Sequence, residues 1–142
     1  VRTETYTDAD LIELVVVGAH LSGMPLNKEL VALNAGFVRV DTTTANYRLY
    51  ELPGTTPSKP GLLRVDGGAG FPIEVEVWAL SPAAFGLFVS RIPSPLGVGT
   101  VQLASGGNAK GFLVEEIAVR GARDISQFGG WRAFRQSVEN AA

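Results

Sequence analysis

The chain has 142 residues, 46% of them hydrophobic, which is enough to enclose one core and too few for two of ordinary size, so a single domain over residues 1–142 is expected. Its 12 basic and 14 acidic side chains nearly cancel, and no Lys/Arg run tracks a phosphate backbone, which sets nucleic acid aside as a partner. The absence of cysteine excludes disulfides, thiolate catalysis and thiolate-held zinc, and one histidine is too few for the usual imidazole-rich metal site, so neither metal nor cofactor is expected. No apolar run approaches a bilayer span and the acidic N-terminus lacks the basic start of a signal peptide, so the expectation is a cytoplasmic protein with no membrane partner.

Val1–Asp10 is polar and threonine-rich and reads as an arm. Leu11–Val17 follows as a strand, and its unbroken Leu14-Val15-Val16-Val17 run predicts burial on both faces, at the middle of a sheet. The strand enters a glycine-marked turn, Gly18–Gly23, that carries the chain's single histidine, His20. A short helix comes next, with Pro25 at its opening, Leu26, Leu30 and Leu33 on one face, and Asn34-Ala35-Gly36 as its stop. Strand, glycine turn and helix start form a recurring small-ligand site. The N–H groups of Gly18, Ala19 and Leu21 and of the helix opening are candidates to face an anion, aided by hydroxyls such as Ser22 and Tyr47. An imidazole placed there trades a proton near neutral pH. Lone histidines and such junctions also occur without chemistry, and the motif by itself does not establish a site.

From Phe37 the period turns from helical to alternating. Phe37–Thr44 and Asn46–Tyr50 read as one long strand, or as two broken near Ala45. Tyr47 is either an inward hydrogen-bond donor or a packed core residue. After the loop Leu52–Gly61, Leu62–Val65 is a strand, and Ile73–Leu80 alternates as a half-exposed strand with Glu74 and Glu76 on a wetted face. Ser81-Pro82 opens a helix that turns Phe85, Phe88 and Ile92 inward. Pro93–Gly99 reads as a stiff loop whose Pro95, Leu96 and Gly97 either close over a ligand or form a rigid turn. Thr100–Leu103 and Gly111–Val114 make a hairpin, Glu115–Val119 extends its second strand, and Trp131, Phe134 and Val138 mark a last helix. Six or more short strands with three short helices define an α+β domain, a small mixed, barrel-like β-sheet flanked by helices.

The block Val17-Gly18-Ala19-His20-Leu21-Ser22-Gly23-Met24-Pro25-Leu26-Asn27 resembles the opening of the C-terminal domain of allophanate hydrolases. Further agreement lies in Tyr47-Arg48-Leu49-Tyr50, Lys59-Pro60-Gly61-Leu62, Ile73–Trp78, Ile92–Val101, Lys110-Gly111-Phe112 and Asp124–Arg132, in order, from about Leu11 to Phe134. The resemblance implies a γ-glutamylcyclotransferase-like fold. It also implies a role in urea metabolism. In the full-length enzymes an N-terminal amidase domain with a Ser-Ser-Lys triad removes ammonia from allophanate, and the C-terminal domain is implied to convert the product, N-carboxycarbamate, to ammonia and carbon dioxide. By resemblance His20 is the general base.

This chain has no room for the amidase, which would be a separate subunit or a fused domain. Cyclotransferases proper use a carboxylate just after the helix that follows the alternating strand. Here that region holds Ser90-Arg91-Ile92-Pro93-Ser94-Pro95-Leu96, with no Asp or Glu between Glu76 and Glu115, so γ-glutamylcyclotransferase activity is disfavoured. Two readings stay open. One is a metal-independent hydrolase or decarboxylase of a small carbamate-type dianion, with Gly18, Ala19, Leu21, Ser22, Tyr47, Pro95, Leu96 and Gly97 binding it. The other is a non-catalytic ligand-binding or assembly module beside an amidase. A dianion also calls for a cation, for which Arg39, Arg48, Lys59 and Arg91 are the candidates.

Overall fold

In the computed structural model, which describes residues 10–141, the apolar run after Leu11 becomes β1 (Ile12–Val16), the middle strand of a five-stranded sheet. β5 (Glu74–Leu80) pairs with it antiparallel on one side and β7 (Asn108–Val114) pairs parallel on the other. Leu14, Val15 and Val16 are buried, as a strand covered on both faces requires. β2 (Gly36–Thr42) and β6 (Leu96–Gln102) are the outer strands, in the order β2-β5-β1-β7-β6. A second sheet has the order β4-β3-β8, from β3 (Tyr47–Glu51), β4 (Pro60–Arg64) and β8 (Arg123–Asp124). Three helices complete the fold: α1 (Asn27–Ala32), α2 (Pro82–Ser90) and α3 (Trp131–Ala141). The Ser81 hydroxyl caps α2 by accepting from the Ala84 amide at 3.2 Å.

The small mixed α+β fold is the expected one, with one difference in its closure. The five-stranded sheet curls until its outer strands touch at one corner, where Thr43 bridges Leu103, the Thr44 amide donates to Gln102 O at 3.0 Å and the Ala104 amide donates to Thr42 O at 2.8 Å. Elsewhere β2 and β6 stay apart, so the sheet is curled but not closed into a barrel. The core joins both sheets to α3 through buried Leu14, Tyr47, Leu49, Ile73, Trp131 and Phe134.

Of the two readings of Phe37–Tyr50, the structure has the strand pair broken near Ala45, and its halves lie in different sheets as β2 and β3. Three local expectations are corrected. Pro95–Gly99 is not a lid: from Leu96 the chain is β6, with Gly97 opposite Leu113 and Gly99 opposite Gly111. Glycine at 99 reads as a loop signal but serves a strand, because a Cβ there would lie 2.6 Å from Leu113 Cδ1. Glu116–Val119 is a 3-10 turn rather than more of β7, and Val138 is left 38% exposed while Trp131 and Phe134 are buried. The polar arm expected over Val1–Asp10 lies, except for Asp10, outside the described residues.

Gly111, at the crossing of β1, β6 and β7, offers a direct test of this packing. A Cβ there would stand 2.6 Å from Val15 Cβ and 2.9 Å from Val101 Cγ2. Gly111→Ala is expected to destabilise the fold by about 1–3 kcal/mol, seen as a lower urea midpoint with an unchanged slope.

Candidate functional site

The turn after β1 is a chain of tight bends that uses much of its own backbone. The Leu21 amide donates to Gly18 O (3.0 Å), Met24 to Leu21 O (2.9 Å), Leu26 to Ala19 O (2.8 Å) and Asn27 to Met24 O (3.1 Å). The expected anion cradle is therefore smaller than the pattern suggested, because the amides of Leu21, Leu26, Asn27 and Glu29 are already taken. Those of Gly18, Ala19 and His20 have no hydrogen-bond partner among the described residues. Gly18 packs against the Pro60 ring at the start of β4, so closely that no Cβ fits between them.

The outer side of this turn is tied to β5. The amide and hydroxyl of Ser22 both donate to Glu76 Oε1, at 2.8 and 2.9 Å, and Trp78 Nε1 donates to the same oxygen at 3.1 Å. Arg132 Nη2, from α3, donates to Glu76 Oε2 (3.1 Å) and to Ser22 O (2.8 Å), while Nη1 reaches Glu74 Oε1 (3.0 Å). Glu76 is 3% exposed, so the wetted face expected for it is overturned. β5 lies between β1 and β2, and the turn with α3 covers its second face. Burial alone would raise the Glu76 pKa, but the donors from Ser22, Trp78 and Arg132 outweigh it and hold the carboxyl below its usual range.

On its inner side the turn borders a cavity of about 370 Å³, lined also by α1, the segment before β4, and the end of α2. His20 lies in its wall. The ring is stacked on Phe112, with centroids 5.2 Å apart at 16°, and meets Phe88 edge-on at 5.1 Å and 72°. Nε2 is 2.7 Å from Glu29 Oε1 on α1, and the Asn27 amide group donates to His20 O at 2.8 Å. Burial lowers the His20 pKa below its ordinary value, Glu29 opposes this, and the nearby Lys59 ammonium lowers it further.

The four candidate cations separate cleanly. Arg39 is paired with Asp41 and Glu13, and Arg48 with Asp124 and the Ala69 carbonyl. Lys59 and Arg91 line the cavity, and neither has an acidic partner among the described residues. Of the predicted site residues, the structure brings Gly18, Ala19, His20 and Leu96 to this cavity. It does not bring Leu21, buried in the core, or Ser22, committed to Glu76. Tyr47 is a buried core residue whose hydroxyl accepts from the Gln102 amide at 2.9 Å, and Pro95 and Gly97 also lie outside the lining. The residue that sequence reasoning missed is Glu29. The available signal was an acid in the first turn of the helix that follows the histidine's turn, and it reads as an ordinary helix-opening charge.

Among the described residues no group of three or more His, Cys, Asp or Glu side chains could hold a metal ion, and no helix is long and apolar enough to cross a membrane. Residues 12–136 match the model of the allophanate hydrolase C-terminal domain family. The chain is 42% identical over 137 residues to urea amidolyase of Saccharomyces cerevisiae, covering 94% of this chain and 8% of that protein. It thus spans less than a tenth of the curated relatives it matches. Allophanate hydrolase of Kluyveromyces lactis superposes with a TM-score of 0.86 at 41% identity, over 90% of this chain and 21% of that one. A uropathogenic E. coli-specific protein superposes at 0.81 and 33% identity, over 89% of this chain and 96% of that one. A likeness of fold alone, at 12% identity and a TM-score of 0.53, extends to a γ-glutamyl cyclotransferase over 80% of this chain.

Two pH windows of stability follow from the site. The folded state binds a proton at His20 less readily than the unfolded chain, so stability is expected to fall as the pH drops below about 6.5. The Glu76 carboxyl is depressed in the fold, so its contribution is present above the unfolded value of about 4.5 and is lost as the pH falls through the lower folded value. Urea midpoints measured across pH should show the upper window disappear in His20→Asn. Glu76→Ala, which leaves Arg132 and Trp78 without their buried acceptor, should cost about 3 kcal/mol at pH 7.

Proposed function

Because this chain belongs to the allophanate hydrolase C-terminal domain family, we propose that it breaks down N-carboxycarbamate to ammonia and carbon dioxide, with His20 as the proton carrier. The observation that carries this reading is the lone imidazole sharing a cavity with two cations, Lys59 and Arg91, that have no acidic partner among the described residues. Two positive groups at one cavity match a substrate with a carboxylate at each end, and the unpartnered amides of Gly18 and Ala19 add donors beside them. The walls Phe88, Phe112, Leu26 and Leu33 are apolar, which lowers the local dielectric and strengthens each of these contacts.

The chemistry asks for one proton to change place. In the singly protonated substrate, His20 takes the carboxyl proton and returns it to the bridging nitrogen as the C–N bond breaks. Carbon dioxide leaves and carbamate remains, with charge conserved. Carbamate then takes up one proton from solvent and separates into ammonia and a second carbon dioxide. A base for the first transfer must be neutral at the working pH. The depressed proton affinity of His20 keeps it so. In this reading the chain is one cytoplasmic domain, working beside an amidase that is fused to it or separate.

Purified protein is expected to speed carbon dioxide release from freshly generated N-carboxycarbamate, with the acid limb of the pH–rate profile below about 6.5. His20→Asn should remove the acceleration. Lys59→Met and Arg91→Met should each raise KM by about tenfold or more, as the loss of one charge-assisted contact predicts. A wild-type protein that leaves the spontaneous rate unchanged would instead mark a binding or assembly module.

A further inference from the structure

We propose that Glu29 is a positioning residue for His20: its carboxylate accepts the Nε2–H, holds the neutral ring in that tautomer, and makes Nδ1 the nitrogen that takes and returns the proton. The inference deepens the reading of His20 as proton carrier and rests on it. An ionised carboxylate only accepts hydrogen bonds, so the 2.7 Å contact with Glu29 Oε1 places the hydrogen on Nε2. A neutral imidazole has a single N–H, so Nδ1 is left bare. Nδ1 has no protein partner among the described residues, whereas every buried side-chain nitrogen or oxygen among them has one. Nδ1 is therefore not fully buried, on a ring that lines the cavity.

The surroundings keep this assignment in place. Phe112 from β7 covers a face of the ring and Phe88 from α2 meets it edge-on, which resists the flip that would exchange the two nitrogens. The segment around α1 holds the residue at two points, since Asn27 binds its carbonyl and Glu29 its side chain. Of the charged groups at the cavity, Lys59 opposes a proton on the ring, Arg91 is a second cation in the lining, and Phe88 and Phe112 are neutral. Glu29 is the acid at the cavity among the described residues, and it favours the imidazolium that burial opposes. When Nδ1 gains a proton, the carboxylate already beside Nε2 stabilises the new charge. When it gives the proton up, the ring is in the starting tautomer without having turned.

His20 is the chain's single histidine, so the imidazole nitrogen spectrum of untagged, 15N-labelled protein reports this ring alone. In the wild type the Nε2–H tautomer should dominate above the titration midpoint. Glu29→Ala should allow both tautomers and lower the midpoint by roughly half a pH unit or more. Glu29→Gln, which keeps an acceptor but removes the charge, should lower the midpoint while retaining the Nε2–H form. The acid limb of the pH–rate profile should move with the midpoint in both variants. A wild-type ring in the Nδ1–H form, or a tautomer ratio and midpoint unchanged in Glu29→Ala, would overturn the proposal. These spectra need no substrate. Failure of the carbamate assay would leave the pairing of Glu29 with His20 standing, and failure of the spectra would leave the assignment of His20 as proton carrier standing.

Discussion

Glu76 lies within β5 with its side chain almost wholly buried, and its two oxygens take hydrogen bonds from the Ser22 amide and hydroxyl, the Trp78 indole and the Arg132 guanidinium. A carboxylate in such a place costs several kcal/mol unless its oxygens are satisfied, and removing a partner leaves that cost exposed. The donors come from three separate parts of the chain: the turn after β1, β5 itself and α3. Each is therefore held where the carboxylate can use it. The turn has two sides. Ser22 is fastened to the sheet on one, and His20 is presented to the cavity on the other, so the placement of the imidazole depends on an ion that lies outside the cavity lining.

The cavity inverts that arrangement. Glu76 is a charge whose oxygens accept four hydrogen bonds, whereas Lys59 and Arg91 are charges with no acidic partner among the described residues. An anion arriving beside them would supply the missing counter-charge. It would also relieve the opposition that Lys59 presents to a proton on His20, so that ligand binding and proton uptake favour each other. In the proposed reaction the empty site keeps the ring neutral and ready to accept, and the loaded site lets it charge.

Much of the fold is legible because its signals are local. The unbroken run of β1, the Ser81-Pro82 cap of α2 and the apolar positions of α3 near its start each report burial from a few consecutive residues. The site is less legible because its decisive contacts are not local. The alternation in β5 predicts a wetted face, which holds only where nothing covers that face, and Arg132 covers Glu76 from 56 positions away. Gly97 and Gly99 read as part of a stiff loop, whereas the ladder to β7 makes them strand residues. His20 is visible as the single imidazole on a glycine turn. Its partner Glu29 is nine positions on, beyond a series of bends whose geometry no periodicity encodes.

The same scaffold also explains why a cyclotransferase-like fold need not carry cyclotransferase chemistry. In that resemblance the proton carrier is a carboxylate just past the helix after the alternating strand. This chain has no acid between Glu76 and Glu115, and Arg91 stands in that region, at the end of α2 and at the cavity. A base rather than an acid in that region changes what the cavity would attract as well as what it could do. A carboxylate there would repel a dianion, whereas a guanidinium would draw it in and offer paired donors to one of its ends. With Arg91 given to binding in the proposed reaction, proton transfer has to come from elsewhere. In that proposal the turn after β1 supplies it, with the imidazole borne on a segment that Glu76 has already fixed in place.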